Sequence, residues 1–340
     1  MTEFSTLCCE SSRIINKMLK DELEHELLFA AIPMLPLLVP HFVPALQIPL
    51  EGTIDSCVKG LSKDQDIVRT GKKGEEYFWI VCCDGHGNNT FVDILKALDW
   101  SSIMEQHNSY YVMQEMLSRC SYSILSGSTL CMVKIFKNKI ECVSVGDSRI
   151  LVFKNGDLEY TNTPHNYSKE CERNRLAFSA RTTTSVRYEM FPAITTETTM
   201  KQKQLSYVTY TDKTNSNRKV TLAMTQSIGH LNITGFAPEF KTIPLSDMDQ
   251  IRIIVGTDGF FDMCLVTEST GSSAEEVEGR EKDKQDLLRM TAEELVTKAE
   301  RRWKQLWTYY YGGEKNPELF QHTQFDKSSI DDIGVAVWFN

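Results

Sequence analysis

No C-x-x-C pair occurs among the ten cysteines of this 340-residue chain, so the spacing that marks many structural zinc sites is missing. Excess positive charge is missing too. Lys and Arg number 37 against 46 Asp and Glu, a net charge of −9. A net acidic chain is a poor general binder of phosphate backbones, so nucleic acid is not expected as a partner. No internal repeat is evident, which excludes a repeat array. Charged residues are absent altogether from Leu27 to Leu50, a stretch long enough to span a membrane. The same stretch holds Pro33, Pro36, Pro40, Pro44 and Pro49, half of the chain's ten prolines. Each removes a backbone donor, and a spanning helix must satisfy its backbone internally. A membrane is therefore not expected as a partner. The stretch reads as an extended apolar strap that packs on the chain's own core or docks on a protein partner. A basic leader is also lacking, because Asp21 to Glu26 is acidic. With cysteines in adjacent pairs (Cys8-Cys9, Cys82-Cys83) and within apolar runs, the expected setting is reducing and cytoplasmic.

Apolar residues make up 41% and charged residues 24%, an ordinary globular composition that excludes a mostly disordered chain. Periodicity predicts a helix over Ser11–Leu28, before the strap. Strands are predicted at Ile67-Val68 and Tyr77–Cys83, then helices over Phe91–Trp100 and Tyr110–Ser123. Further strands are predicted over Thr129–Phe136, Ile140–Val145 and Arg149–Lys154, with Asn155-Gly156 as a hairpin turn. The Thr- and Ser-rich stretch from about Glu170 to Arg218 reads as a lid or flap with irregular strands. Ile251–Gly256 reads as a buried strand and Ser269–Gln285 as a charged surface loop. A helix is predicted over Thr291–Tyr309, opened by Thr291 and Glu294 at capping-box spacing. Ile333–Phe339 reads as the closing strand. Strands in runs with a few helix pairs predict an α+β fold, a sheet sandwich flanked by helices. The length divides into an N-terminal extension, residues 1–51, and one large domain, residues 52–340.

The informative residues are acidic ones at the ends of apolar strands. Asp84 follows Trp79–Cys83, Asp147 follows Cys142–Gly146, and Asp258 follows Ile251–Thr257. Asp331 and Asp332 precede Ile333–Val337. One such Asp is ordinarily a turn residue. Four of them, on strands of one sandwich, can converge at one edge. Such a cluster repels itself unless cations neutralise it, and hard divalent ions suit oxygen ligands.

Seven motifs in order then resemble the metal-dependent serine/threonine phosphatases of the protein phosphatase 2C (PP2C) type. Asp64-Gln65-Asp66 is similar to the opening acidic motif, and Asp84-Gly85-His86-Gly87 to the D-G-H-G turn. Gly127-Ser128-Thr129, then Val145-Gly146-Asp147-Ser148-Arg149, follow. Next come Leu222–Gly229, Thr257-Asp258-Gly259-Phe260-Phe261-Asp262 and Asp331-Asp332-Ile333. The resemblance runs from about Gly52 to Asn340. It implies two antiparallel β-sheets packed as a sandwich with helices outside, four layers in the order α-β-β-α. It also implies two Mg²⁺ or Mn²⁺ ions held by Asp66, Asp84, the Gly85 carbonyl, Asp258 and Asp331. Asp147 and Asp262 match positions that serve a third metal in some members. His86 matches the histidine that protonates the leaving alcohol. The implied reaction is hydrolysis of phosphoserine and phosphothreonine in phosphoprotein substrates by a metal-activated bridging water. Cys82 and Cys83 have no Arg within the next six positions, so a cysteine-phosphatase loop is not expected.

The sequence departs from the family pattern in three places. The Arg that grips the substrate phosphate, five residues before Asp66, is Leu61 here. Lys63 is near enough to substitute as a point charge, without a guanidinium's fork. The Asp expected before His165 is Pro164, and the Asp usual after Ile228-Gly229 is His230. Both histidines read first as hydrogen-bonded or surface residues, and Arg149 reads as a support of its turn. The loss at Leu61 leaves open a second class of function, a pseudophosphatase that binds and regulates without turnover. A third reading is a metal-dependent hydrolase of another phosphoester.

Overall fold

Strand Tyr77–Cys83 sets the architecture, because all seven of its residues are buried. A strand with two buried faces must lie inside a sheet that is covered on both sides. A computed structural model, which describes residues 50–179, 181–235, 237–267, 273–310 and 320–340, shows how. The expected helix over Ser11–Leu28 lies outside the described residues, as does the strap except for Leu50.

Two five-stranded antiparallel sheets form the body. The first joins β1 (Thr53–Lys59), β18 (Ile333–Phe339), β15 (Ile251–Gly256), β8 (Arg149–Lys154) and β9 (Asp157–Thr161), in that order. The second joins β14 (Glu239–Pro244), β7 (Lys139–Val145), β6 (Leu130–Phe136), β3 (Tyr77–Cys83) and β2 (Ile67–Lys73). Alternate residues divide the core. Ile80, Cys82, Val133 and Cys142 of the second sheet share one apolar cluster with Ile150, Ile253, Val255 and Trp338 of the first. The intervening residues Trp79, Val81, Cys83 and Leu130 face outward. They pack on α1 (Thr90–Ala97), α2 (Trp100–Met104) and α3 (Ser109–Ser118) through Phe91, Leu95, Ile103 and Met113. On the other side, Leu151, Ile254, Val335 and Val337 meet α6 (Ala274–Arg289) and α7 (Ala292–Lys304) through Leu287, Leu295 and Trp303. The layers are helix, sheet, sheet, helix, as expected from the resemblance. Among the described residues no helix is long and apolar enough to cross a membrane.

Three expectations need correction. The stretch after Glu170 opens with helix α4 (Glu170–Ala177) and continues as a regular hairpin. Its strands β10 (Thr182–Ile194) and β11 (Thr199–Asp212) stay in register from Thr182 opposite Asp212 to Ile194 opposite Met200. Its two faces are both partly wet, so no strict apolar alternation marked it. Secondly, most of Ser269–Gln285 is not a loop. Helix α6 starts at a full capping box, with the Ser273 side chain accepting from the Glu276 amide and the Glu276 side chain accepting from the Ser273 amide. Its buried face carries Gly279, Asp283 and Leu287, so a carboxylate holds a place that an apolar residue usually takes. Thirdly, the last helix stops at Lys304, and Trp307–Tyr310 forms strand β16, parallel to β11. Trp307 and Tyr309 fit a pleated surface, and Trp307 closes over the helix end by donating to the Arg302 carbonyl at 2.9 Å.

Candidate metal centre

The expected carboxylates meet where strand ends of both sheets run out. Asp84 leaves β3, and Asp147 leaves β7. Asp258 opens the short helix α5 (Asp258–Phe261) after β15, and Asp331 lies before β18. Carboxylate oxygens of Asp84, Asp147 and Asp258 all lie within 4.8 Å of one another. This tightest group therefore joins Asp147, matched to the third metal, with Asp84 and Asp258. Asp66 and Asp331 stand close enough for their charges to act on the group.

Hydroxyls and amides fix the backbone around each acid. The Asp84 carbonyl accepts from Ser128 Oγ at 2.9 Å and from the Thr129 amide at 2.9 Å, while its own amide donates to Thr129 Oγ1 at 3.0 Å. Thr129 Oγ1 also meets Ser148 Oγ at 2.6 Å. The Ser and Thr of the G-S-T motif and the Ser of G-D-S-R thus clamp the D-G-H-G turn. Thr257 Oγ1 donates to Asp66 Oδ2 at 2.7 Å and accepts from the Gly334 amide at 3.0 Å, tying the first acid to the last strand. Gly259 lets α5 approach this junction, since a Cβ there would sit 1.9 Å from the Asp332 carbonyl oxygen.

Asp331 and Asp332 divide their work. Asp332 accepts from the amides of Leu61 at 2.7 Å, Ser62 at 2.8 Å and Gln65 at 2.8 Å. Burial pushes its carboxyl up, but those N–H groups outweigh burial and hold it below its usual value. Asp332 shapes the loop that carries Lys63 and Asp66, a role that nothing in the sequence marked. Leu61 turns its side chain onto the outer apolar cluster. Lys63 is exposed, and its charge acts on both His86 and Asp331.

The electrostatics show a cluster in need of positive charge. Burial raises Asp84 well above the ordinary range, and the charges of Asp258, Asp66 and Asp331 add to it. Asp258 rises through burial and then Asp331, Asp147 and Asp262. Asp66 rises through burial, partly offset by the Thr257 hydrogen bond. Asp147 is pushed up to about 7 by burial and by Asp262, against the pull of Arg149. Burial also raises Asp331. Asp147 Oδ1 and Asp258 Oδ1 are buried without a hydrogen-bond partner. Crowded oxygens with spare lone pairs and no donors fit hard divalent cations well. Asp262 is exposed and contributes chiefly through its charge on Asp147 and Asp258.

The histidines differ. His165 is a structural residue. Its Nδ1 accepts from the Gly146 amide at 3.0 Å, which holds the turn before Asp147. His86 is half-buried, and both its ring nitrogens lack partners. Burial, then His230 and Lys63, lower its pKa to about 3. His230 is fully buried beside it. Gln226 donates to Glu172 Oε1 at 2.7 Å. Thr225 Oγ1 and Arg175 Nε reach the same carboxylate at 2.6 and 3.1 Å. This knot had no sequence signal, because α4 lies more than 50 positions from Gln226 along the chain. Cys82, Cys83, Cys131 and Cys142 are buried, and burial raises their thiols, Cys83 and Cys142 to about 12. Such thiols are poor nucleophiles.

No curated protein matches the chain. Among solved structures, a sex determining protein from C. elegans shares 15% identity at a TM-score of 0.48, over 84% of this chain and 64% of that one. Serine-threonine phosphatase 2C from Toxoplasma gondii shares 15% at 0.46, over 86% and 98%. The catalytic domain of the serine/threonine phosphatase PstP, in complex with two manganese ions, shares 14% at 0.43, over 85% and 97%. The family profile described as Protein phosphatase 2C matches residues 96–302, more than half of the 340 residues, and the chain belongs to that family.

Proposed function

We propose that the protein is a metal-dependent serine/threonine phosphatase that hydrolyses phosphoserine and phosphothreonine in phosphoprotein substrates. The observation that carries this reading is the convergence of Asp84, Asp147 and Asp258 within 4.8 Å, with buried oxygens that no donor satisfies. Two Mg²⁺ or Mn²⁺ ions would be held by Asp66, Asp84, the Gly85 carbonyl, Asp258 and Asp331, and a third by Asp147 and Asp262. When bound, such ions supply a water acidified to near-neutral pKa and positive charge for the phosphoryl oxygens.

The remaining work falls to side chains of the chain. Lys63 presents an ammonium to the substrate phosphate from the loop that Asp332 shapes. Leu61 offers none, so phosphate positioning is weaker than with a guanidinium fork. His86 hands a proton to the leaving seryl or threonyl oxygen. In the free protein burial keeps its ring neutral. A phosphomonoester dianion beside it favours the protonated ring, the form the step needs.

The decisive experiment is hydrolysis of a phosphothreonine peptide with Mn²⁺ or Mg²⁺, beside Asp84→Asn. Turnover that requires the metal and is lost in the variant is expected. Measurable Mn²⁺ binding without turnover would overturn the reading in favour of a PP2C-like pseudophosphatase. The apolar packing of Leu61 is the observation that favours that alternative. The domain boundary near residue 52, docking of the N-terminal apolar segment and a reducing cytoplasmic setting complete the proposal.

A further inference from the structure

We infer that His86 and His230 form a chelating pair for a borderline cation of the zinc class, distinct from the carboxylate centre. In the small sheet of β4 (Gly85–Gly87), β5 (Ser126–Ser128) and β13 (Ile228–Gly229), His86 lies directly opposite Gly127. Opposite residues project to the same face, with Cβ atoms about 4.5–5.5 Å apart. Gly127 has no side chain, and the His230 ring fills its place. A Cβ on Gly127 would sit 2.2 Å from His230 Cδ2 and 2.5 Å from its Nε2. Two imidazoles therefore stand side by side, ring centres 5.2 Å apart and planes at 71°.

The protonation pattern suits a metal. His230 Nδ1 lies 2.6 Å from the Ile124 carbonyl, which can only accept, so Nδ1 carries the hydrogen and Nε2 a bare lone pair. That Nε2 is buried without a partner, as are both nitrogens of His86. A ring anchored through one nitrogen on a carbonyl, with the other nitrogen unshared, is the usual arrangement of a metal-ligating histidine. With metal–nitrogen bonds of about 2.0–2.1 Å and ring centres about 1.1 Å farther out, a tetrahedral angle separates the centres by about 5.1 Å. Nitrogen ligands prefer zinc-class ions, whereas the carboxylates beside them prefer Mg²⁺ or Mn²⁺. The Lys63 charge opposes the site but is exposed and can swing away. A cation on His86 removes the nitrogen that the proposed function uses to protonate the leaving group. Zinc would then inhibit from a site of its own; that consequence rests on the phosphatase reading, whereas binding does not.

The test uses the full chain in saturating Mg²⁺, titrated with Zn²⁺ against a chromogenic zinc chelator. His230→Asn keeps an amide donor for Ile124 and tolerates the left-handed backbone there, φ 48°. His230→Asn and His86→Gln are each expected to weaken Zn²⁺ binding at least tenfold, since even outer partners of a ligand contribute that much. Gly127→Ala, whose Cβ displaces the His230 ring, is expected to weaken it likewise. Asp84→Asn is expected to keep zinc affinity within about threefold, because its carboxylate belongs to the other site. Wild-type affinity in His230→Asn, or loss of zinc in Asp84→Asn, would overturn the inference. Failure of the phosphatase reading would appear separately, as absent turnover with this titration unchanged.

Discussion

Replacing Arg302 by Met tests how the helices behind the carboxylate cluster are held. Arg302 and Asp283 side chains are 1% and 2% exposed, and they pair through two parallel contacts of 2.7 Å. Arg302 also donates to the Met263 carbonyl at 2.6 Å and to Glu197 at 2.8 Å, and Asp283 accepts from the Leu265 amide at 2.7 Å. The pair therefore clips α6 and α7 to the segment that follows α5, and to Glu197 in the turn between β10 and β11. Met fills the volume but leaves the Asp283 carboxylate buried without its fork. Breaking a buried pair in this way costs about 3–5 kcal/mol. Lys298, 2.5 Å from Asp283 Oδ1, remains as a partial partner, so about 3 kcal/mol is expected. Urea unfolding followed by tryptophan fluorescence reads this as a fall in midpoint at unchanged slope. The double variant Arg302→Met with Asp283→Leu should recover about half of the loss, because no carboxylate is then stranded at position 283, while the Leu265 amide and the Met263 carbonyl lose their partners. Burial pushes Asp283 up, yet Arg302 and Lys298 bring it below its ordinary 3.8. Its stabilisation is thus complete above pH 3.8 and lost as pH falls through the depressed value, so the gap between wild type and variant should narrow in acid. A single variant within 1 kcal/mol of wild type at pH 7, or a double variant no better than the single, refutes the reasoning.

The carboxylate cluster predicts opposite effects with and without metal. Asp258→Asn removes one of the crowded charges, so the metal-free protein should melt at least about 2 °C higher while Mn²⁺ no longer stabilises it. Scanning calorimetry in chelator and in Mn²⁺ reads both changes. The raised carboxyls also set a pH dependence. The folded metal-free protein holds protons that the unfolded chain releases above about pH 4, so its stability should fall as pH rises through Asp147's value of about 7. Mn²⁺ should flatten that slope; a metal-free stability that rises from pH 4 to 7 would contradict the coupling. On the proposed function, in which Lys63 is a point charge for the substrate phosphate, Lys63→Ala should raise KM for a phosphothreonine peptide about 3–10-fold with kcat little changed.

Residues that must be a particular type at a particular strand end were legible in the sequence. Asp84, Asp147, Asp258 and Asp331 each follow or precede an apolar strand, and that local signal survives folding because it depends only on neighbours in the chain. The sandwich was legible for the same reason, through runs such as Tyr77–Cys83. The long hairpin was not, because its faces are both partly wet and its register comes from cross-strand pairing. Helix α6 was misread as a loop because its buried face uses Asp283. The value of that carboxylate depends on Arg302, 19 positions away in sequence.

The sequence by itself determined the family, the layered α+β architecture and the set of acids available for metal, since motif order and apolar period are local properties. Only the tertiary structure decided which acid does what. It drew Asp147 in beside Asp84 and Asp258, and it turned Asp332 away to shape the Lys63 loop. It also packed a half-buried Leu61 against the outer core and set His230 in the space that Gly127 leaves beside His86. These outcomes depend on distances between segments far apart in the chain, and on how burial changes the energy of a charge. Neither is written in the spacing of residues along the chain.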